Sequence, residues 1–397
     1  MMMEKLLLLI LVLCVPCASA FDAFRSGEPW VDTAGNVIDA HGAGMLQDGD
    51  TYYWYGSARN GAACCHDRGI NLYSSKDLYN WKFESTVLRA FNGSTMGNGL
   101  DLERPKVVRC AATGKYVMWV RGTGEGNTPQ LLAVATADAP TGPFAFQGNT
   151  TDPFHTIPPT CPAGPDRCGN IDSGGRGDGY QYADATLFSD PRSNRTYVYW
   201  RTRVNAQNTG FRGMELTPDC LGVVPETDTQ LFTSPNREAP AVFFARGQYY
   251  LWASGTDGWA PTTMHLYTAD SPLGAFNRSG LNNTQGWLIG WQPTPIPPPG
   301  APGNRPPDQP GVWAFGSQST YILPNPAYAE HDPVNATRAK LAPFIYLADR
   351  WTPSNTSSFG SYVWLPLFLD PQNSSAVRVE WHAEWRLDGA ISPFALQ

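Results

Sequence analysis

The chain has 397 residues and a formal net charge of −7, which argues against nucleic acid or an anionic membrane surface as its partner. It carries 39 Gly and 35 Pro against 28 Lys and Arg, together with 14 Trp. That mix suits many short strands joined by tight turns, with rings free to stack on sugars.

Residues 1–20, MMMEKLLLLILVLCVPCASA, begin with the charge of Lys5, run on through apolar residues and end in Ala18-Ser19-Ala20. This is the pattern of a secretory signal peptide. A membrane anchor is the alternative, but the apolar core falls short of the roughly 20 residues that spanning needs. No later apolar run is long enough to span, so the expected product is a secreted, extracellular and monomeric chain, residues 21–397. Its length allows one large all-β domain or two smaller ones.

Two of the eight cysteines, Cys14 and Cys17, leave with the signal. Cys64, Cys65, Cys110, Cys161, Cys168 and Cys220 remain, an even count that suggests disulfides in an exported chain. Cys161 and Cys168 share one Pro/Gly-rich loop and are expected to pair. The adjacent Cys64 and Cys65 look elsewhere, to Cys110 or Cys220. Zinc is disfavoured, because CxxC spacing is absent and His is scarce. Asn-x-Ser/Thr sequons at Asn92, Asn149, Asn194, Asn277, Asn282, Asn335, Asn355 and Asn373 fit a eukaryotic secretory route.

Along the chain one pattern recurs. A turn residue precedes an aromatic alternating strand, and a second strand ends in a Ser-Lys-Asp or Thr-Ala-Asp turn. The copies are Gly49-Asp50-Thr51-Tyr52-Tyr53-Trp54-Tyr55 with Ile70 to Asp77, and Gly114 to Trp119 with Leu132 to Asp138. Then come Arg195 to Trp200, Gly247 to Trp252 with His265 to Asp270, and a degenerate Pro343 to Ala348 with Ser361 to Leu365. Alternation of period two predicts strands. Recurrence of a several-strand unit predicts an all-β, five-bladed β-propeller. A β-sandwich would not explain the repeated aromatic strand and Asp turn. Residues 152–180 and 291–311, rich in Pro, Gly and polar residues, read as long loops that either wall a pocket or decorate the surface.

In a propeller, reactive groups sit near the axis on the inner strands. Four segments place a polar group just ahead of an aromatic strand. They are Asp101-Leu102-Glu103-Arg104-Pro105-Lys106, Tyr182-Ala183-Asp184-Ala185-Thr186, Arg237-Glu238-Ala239-Pro240, and Phe315-Gly316-Ser317-Gln318-Ser319. A carboxylate at one strand start is usually a surface group. The same placement in successive units suits glycosidic cleavage, which needs an acid for the leaving oxygen and, in inverting enzymes, a group that aims water at the opposite face.

These segments, in this order and with an Ala-His-Gly-rich first inner strand, resemble glycoside hydrolase family 43, and within it the exo-β-1,3-galactanases. The resemblance covers nearly all of residues 21–397. It implies inversion at the anomeric carbon and release of galactose from the non-reducing end of β-1,3-galactan, the main chain of arabinogalactan proteins. By that resemblance Glu238 is the general acid, Asp184 tunes and orients it, and Glu103 binds the terminal galactose. Arg104 either pairs with Glu103 or touches the sugar. The wider family's base aspartate would fall near Gly42-Ala43, where no carboxylate stands. Gln318 then holds the water, by an imidic tautomer or by simple positioning, and Asp39 is the alternative base.

Tyr182, Asn205, Thr256 and Gly258 are further candidate substrate contacts, and Trp259 and Trp313 are candidate stacking platforms. His41 touches substrate, bridges to an axial ion or packs. No cofactor is implied, and no ligand cluster demands a metal. Two alternatives to the galactanase remain. One is another activity of the family, an α-L-arabinofuranosidase or β-xylosidase. The other is a non-catalytic glycan-binding propeller, which would have no need of a buried acid.

Overall fold

The computed structural model describes residues 20–59, 69–89, 101–123, 130–147, 183–203, 209–233, 237–256, 264–278, 315–328, 341–350, 360–369 and 377–389. Among the described residues there is no α-helix, and the one helical turn is a 3-10 turn at Pro225–Thr227. Residues 1–19 and both long loops lie outside them, as do Cys64, Cys65, Cys161, Cys168 and every sequon except Asn194 and Asn277. No described helix is long and apolar enough to cross a membrane.

Five sheets of four antiparallel strands follow one another in chain order. Blade 1 is β2 (His41–Asp48), β3 (Thr51–Ser57), β4 (Gly69–Ser75) and β5 (Lys82–Arg89). Blade 2 is β6 (Asp101–Arg109), β7 (Tyr116–Thr123), β8 (Gln130–Ala137) and β9 (Ala145–Phe146). Blade 3 is β10 (Ala183–Ser189), β11 (Thr196–Arg203), β12 (Thr209–Glu215) and β13 (Thr229–Thr233). Blade 4 is β14 (Arg237–Ala245), β15 (Gln248–Gly255), β16 (His265–Ala269) and β17 (Asn277–Arg278). Blade 5 is β18 (Gln318–Pro324), β19 (Phe344–Arg350), β20 (Ser361–Leu369) and β21 (Val377–Val379). The inner strands β2, β6, β10, β14 and β18 touch in succession, and β18 returns to β2. The protein is a five-bladed β-propeller.

The aromatic strands are buried on both faces, and each face serves a different seam. On β7, Tyr116, Met118 and Val120 enter the cluster shared with blade 1, while Val117 and Trp119 enter the cluster shared with blade 3. On β19, Ile345 and Leu347 pack toward blade 1, and Tyr346 and Ala348 toward blade 4. Period-two geometry splits each such strand between two cores, which is why these segments read as nearly continuous apolar runs. The five hydrophobic clusters correspond to the five seams. The recurring Asp turn has a local cause in blade 1, where Asp77 Oδ1 accepts the N–H groups of Tyr79 and Asn80, each at 2.8 Å.

Every blade is a contiguous stretch of chain, so no strand is borrowed to close the ring. Closure rests on the seam between blades 1 and 5, where Trp54 and Trp364 lie 5.0 Å apart between ring centroids. A two-stranded ribbon reinforces it. β1 (Phe24–Arg25) pairs with β22 (Glu384–Trp385), and Phe24 packs 4.8 Å from both Tyr79 and Trp385.

The inner strands approach one another closely at the axis. A Cβ on Gly44 of β2 would lie 2.2 Å from the carbonyl oxygen of Pro105 on β6. That neighbour is backbone and cannot swing away. Gly44→Ala is therefore expected to lower the chemical-denaturation midpoint, at a cost of about 2–3 kcal/mol. An unchanged midpoint would mean that β2 and β6 are free to separate.

Cys110 and Cys220 are buried free thiols in the seam between blades 2 and 3, where Cys110 Sγ donates to the Pro218 carbonyl at 3.2 Å. The expected pairing of either with Cys64 or Cys65 falls on residues outside the described ones.

Candidate active site

Each inner strand carries a β-bulge near its start. Register shifts fall between His41 and Gly44, Glu103 and Lys106, Ala183 and Ala185, Glu238 and Ala241, and Ser319 and Tyr321. In blades 1, 2 and 4 the bulge includes a residue with left-handed backbone: Gly42 at φ 65°, Arg104 at 52° and Ala239 at 56°. This conformation is uncommon outside glycine. It re-aims the preceding side chain, and those side chains are His41, Glu103 and Glu238. The bulges thus account for polar groups held at one end of the ring.

Four of the expected residues meet there. Glu238 Oε1 accepts a hydrogen bond from Gln318 Nε2 at 2.9 Å, and Glu238 Oε2 lies 3.2 Å from Arg201 Nη1. Asp184 Oδ1 lies 3.1 Å from Arg104 Nε and 3.2 Å from Arg121 Nη1, while Oδ2 accepts the N–H of Ala239 at 2.9 Å. That last bond ties the carboxylate of blade 3 to the bulge beside Glu238. Glu103 pairs with Arg121, which spans Glu103 and Asp184.

Arg104 is not the partner of Glu103. Its side chain crosses the axis, ion-pairs with Asp184 and donates to Gln318 Oε1 at 2.5 Å and to the Ser319 carbonyl at 3.1 Å. Left-handed backbone at Arg104 turns it away from the neighbouring carboxylate.

The two central carboxyls are driven apart in acidity. Burial and the nearby Asp184 charge push Glu238 up to about 7, against the pull of Arg201 and Arg104. Burial also penalises the Asp184 carboxylate, but Arg104, Arg121 and Arg201, with the Ala239 N–H, outweigh it and hold Asp184 below the usual range. A protonated carboxyl beside an ionised one is an acid with its modulator.

Gln318 is fixed in one orientation. Its carbonyl faces the Arg104 guanidinium, which can only donate, and its NH₂ faces Glu238 and, at 3.1 Å, Ser254 Oγ. A hydroxyl on that oxygen would point a donor at a donor, so the geometry favours the ordinary amide over an imidic tautomer.

His41 does not reach the pocket. It is fully buried, its ring stacks on Tyr362 at 5.4 Å, and its Nε2 lies 3.7 Å from Asp39 Oδ1. Asp39 is committed as well, accepting the Arg59 N–H at 3.0 Å. Thr256 follows β15 directly and is half-buried. On that strand Ser254 is the register partner of Glu238. Tyr182, Asn205, Gly258, Trp259 and Trp313 lie outside the described residues.

Sequence reasoning missed Arg121, Arg201, Ser254 and Asp349. All four sit on second strands, and plain counting from the β6–β7 turn would set Arg121 opposite Arg104; the bulge between Glu103 and Lys106 moves it opposite Glu103. Asp349 is the register partner of Gln318 on β19. Its Oδ2 accepts the Gly42 N–H at 2.5 Å, so a carboxylate does stand beside Gly42, delivered from blade 5. Burial pushes it up to about 7 against Arg104, Lys106 and Arg59. Lys106, fully buried, donates to the Gly42 and Pro105 carbonyls at 2.9 and 3.2 Å, and desolvation drives its amine far below the usual value. Among the described residues no group of His, Cys, Asp or Glu could hold a metal ion.

Comparison with known proteins bears on the family and the fold. No curated protein matches the chain. Solved structures do. The chain resembles the exo-β-1,3-galactanase of Phanerochaete chrysosporium solved with galactose, with 26% identity and a TM-score of 0.63 over 92% of this chain and 68% of that one. It resembles an exo-β-1,3-galactanase from Clostridium thermocellum at 26% identity and a TM-score of 0.67, over 93% and 68%. It also resembles a family 43 β-1,3-galactosidase solved with galactodeoxynojirimycin, at 30% identity and a TM-score of 0.68, over 91% of this chain and all of that one. The model of glycosyl hydrolases family 43 matches residues 38–284. With its paired carboxyls and its propeller, the chain belongs to glycoside hydrolase family 43 and is a glycoside hydrolase.

Proposed function

We propose that the protein is an exo-acting, inverting galactan 1,3-β-galactosidase that releases galactose from the non-reducing end of β-1,3-galactan, as in arabinogalactan main chains. The observation that carries this reading is the contact of Glu238 with Gln318 at 2.9 Å beside Asp184, with the acidities of the two carboxyls driven apart. Family 43 membership supports hydrolysis with inversion. The structural likeness to enzymes described as β-1,3-galactanases and β-1,3-galactosidases supports the substrate. The same reading takes residues 1–20 as an export signal and the enzyme as a secreted monomer.

In this mechanism Glu238 gives its proton to the glycosidic oxygen as the bond breaks. Asp184 stays charged and raises the proton affinity of Glu238. Glu103, with Arg121, accepts hydrogen bonds from sugar hydroxyls. Gln318 Oε1 uses its second lone pair to hold a water below the anomeric carbon. An inverting site needs its two working groups about 6.5–9.5 Å apart, whereas Glu238 and Gln318 are in contact at 2.9 Å. Substrate entry therefore turns the Glu238 side chain away from Gln318, leaving a place for the ring and the water between them.

Time-resolved NMR of hydrolysis tests this reading. Linear β-1,3-galactan is expected to give galactose as the first product, initially as the α-anomer. Early oligosaccharides, a β-anomer, or release of only arabinose or xylose from their own glycosides would refute it.

A further inference from the structure

We propose that Cys110 and Cys220 are joined by a disulfide in the mature protein, cross-linking blade 2 to blade 3. The inference does not depend on which glycan is hydrolysed. It depends on passage through an oxidising route. Buried cysteines often serve only as small apolar groups, so packing alone would not carry the proposal.

Three observations go further. First, both residues share one buried cluster, and Cys110 Sγ donates to the carbonyl of Pro218, two residues before Cys220, at 3.2 Å. Second, both backbones are already fixed. Cys110 N–H donates to Lys115 and its carbonyl accepts from Gly114, each at 2.8 Å. Cys220 N–H donates to Thr217 at 2.8 Å, and its carbonyl accepts the Trp119 indole N–H at 2.9 Å. The bond is expected to form by side-chain rotation within these turns. Third, the turn does not require cysteine. In blade 3 Asp190 occupies the corresponding place with the same two backbone bonds, from Asp190 N–H to Arg195 and from Asn194 N–H to Asp190.

The chemistry balances as thiol–disulfide exchange. Cys110 thiolate attacks a protein or small-molecule disulfide of the oxidising route and displaces one of its thiols. Cys220 thiolate then attacks the Cys110 sulfur of the mixed disulfide and releases the second thiol. Two electrons and two protons pass to the partner's sulfurs. Before the seam forms either thiol can be the first attacker, with the same products. Both residues are buried once the seam closes, so exchange precedes the docking of blade 3 on blade 2.

The full-length protein, produced through a eukaryotic secretory host, provides the test. It is unfolded in acid, alkylated without reduction and digested. Mass spectrometry is expected to find one peptide pair linked through Cys110 and Cys220. Alkylation of both residues, or a link from either to a different cysteine, overturns the proposal. Thermal melts add a second reading. Cys110→Ser, Cys220→Ser and the double variant are each expected to fall by the same amount, roughly 5–10 °C. Losses that add in the double variant would mean two independent buried thiols.

Discussion

Replacing Glu238 by Gln is expected to cut galactose release from β-1,3-galactan by about 10²–10⁴-fold, the range general acid catalysis supplies. The substitution keeps the shape of the side chain and one acceptor oxygen, but two donors, Gln318 and Arg201, each meet a separate oxygen of Glu238, so the new NH₂ meets one of them at some cost in stability. It also removes the proton that the leaving sugar oxygen needs. The loss of activity, measured per folded enzyme, should therefore fall mainly in kcat. The wild-type enzyme adds a matching signature. Glu238 holds its proton up to about pH 7, so the rate should decline as pH rises through that value. A variant with wild-type turnover, or a wild-type rate that keeps rising well above pH 7, would remove Glu238 from the acid role.

What could be read from the chain and what could not divides along the geometry of the propeller. The aromatic strands were legible because each repeats the pattern of a strand buried on both faces. The carboxylates were legible because the inner strand is the first of each unit, so a polar group ahead of the aromatic strand falls at the axis. Their partners were not legible in the same way. Arg121 faces Glu103 only because a bulge shifts the hairpin register by one, its bond to Asp184 crosses a blade boundary, and so does the bond from Arg104 to Gln318. No local pattern encodes a contact between units. Arg104 shows the consequence: its sequence neighbour is Glu103, yet a left-handed backbone sends it to Asp184 and blade 5.

The missing base has the same explanation. By resemblance, the wider family's base aspartate falls near Gly42-Ala43 on the first inner strand. The bulge makes His41, not Gly42 or Ala43, the counterpart of Glu103 and Glu238. The carboxylate that does sit at Gly42 arrives from β19, far away in the chain. Asp349 is nearly inaccessible, and its neighbours are backbone and cations rather than open pocket. It holds the axis behind Gln318 instead of facing the sugar.

The sharpest consequence of the cross-blade wiring concerns Asp184. Its charge does two things at once: it raises the proton affinity of Glu238, and it neutralises guanidinium groups that would otherwise lower it. Asp184→Asn removes both influences in the same direction, so the Glu238 pKa should fall below about 7, although burial, the largest cause of its elevation, remains. At a pH above the lowered pKa, each unit of fall costs about tenfold in the protonated fraction and so in rate. Arg104 and Arg121 also lose a buried counterion, which adds a stability loss of about 3–5 kcal/mol. The two effects separate in a pH–rate profile normalised to folded enzyme. A shifted acid regains much of its activity at lower pH, because Glu238 is protonated again. A site that has merely been deformed stays inactive at every pH, and a profile of unchanged shape would show that Asp184 does not set the acidity of Glu238.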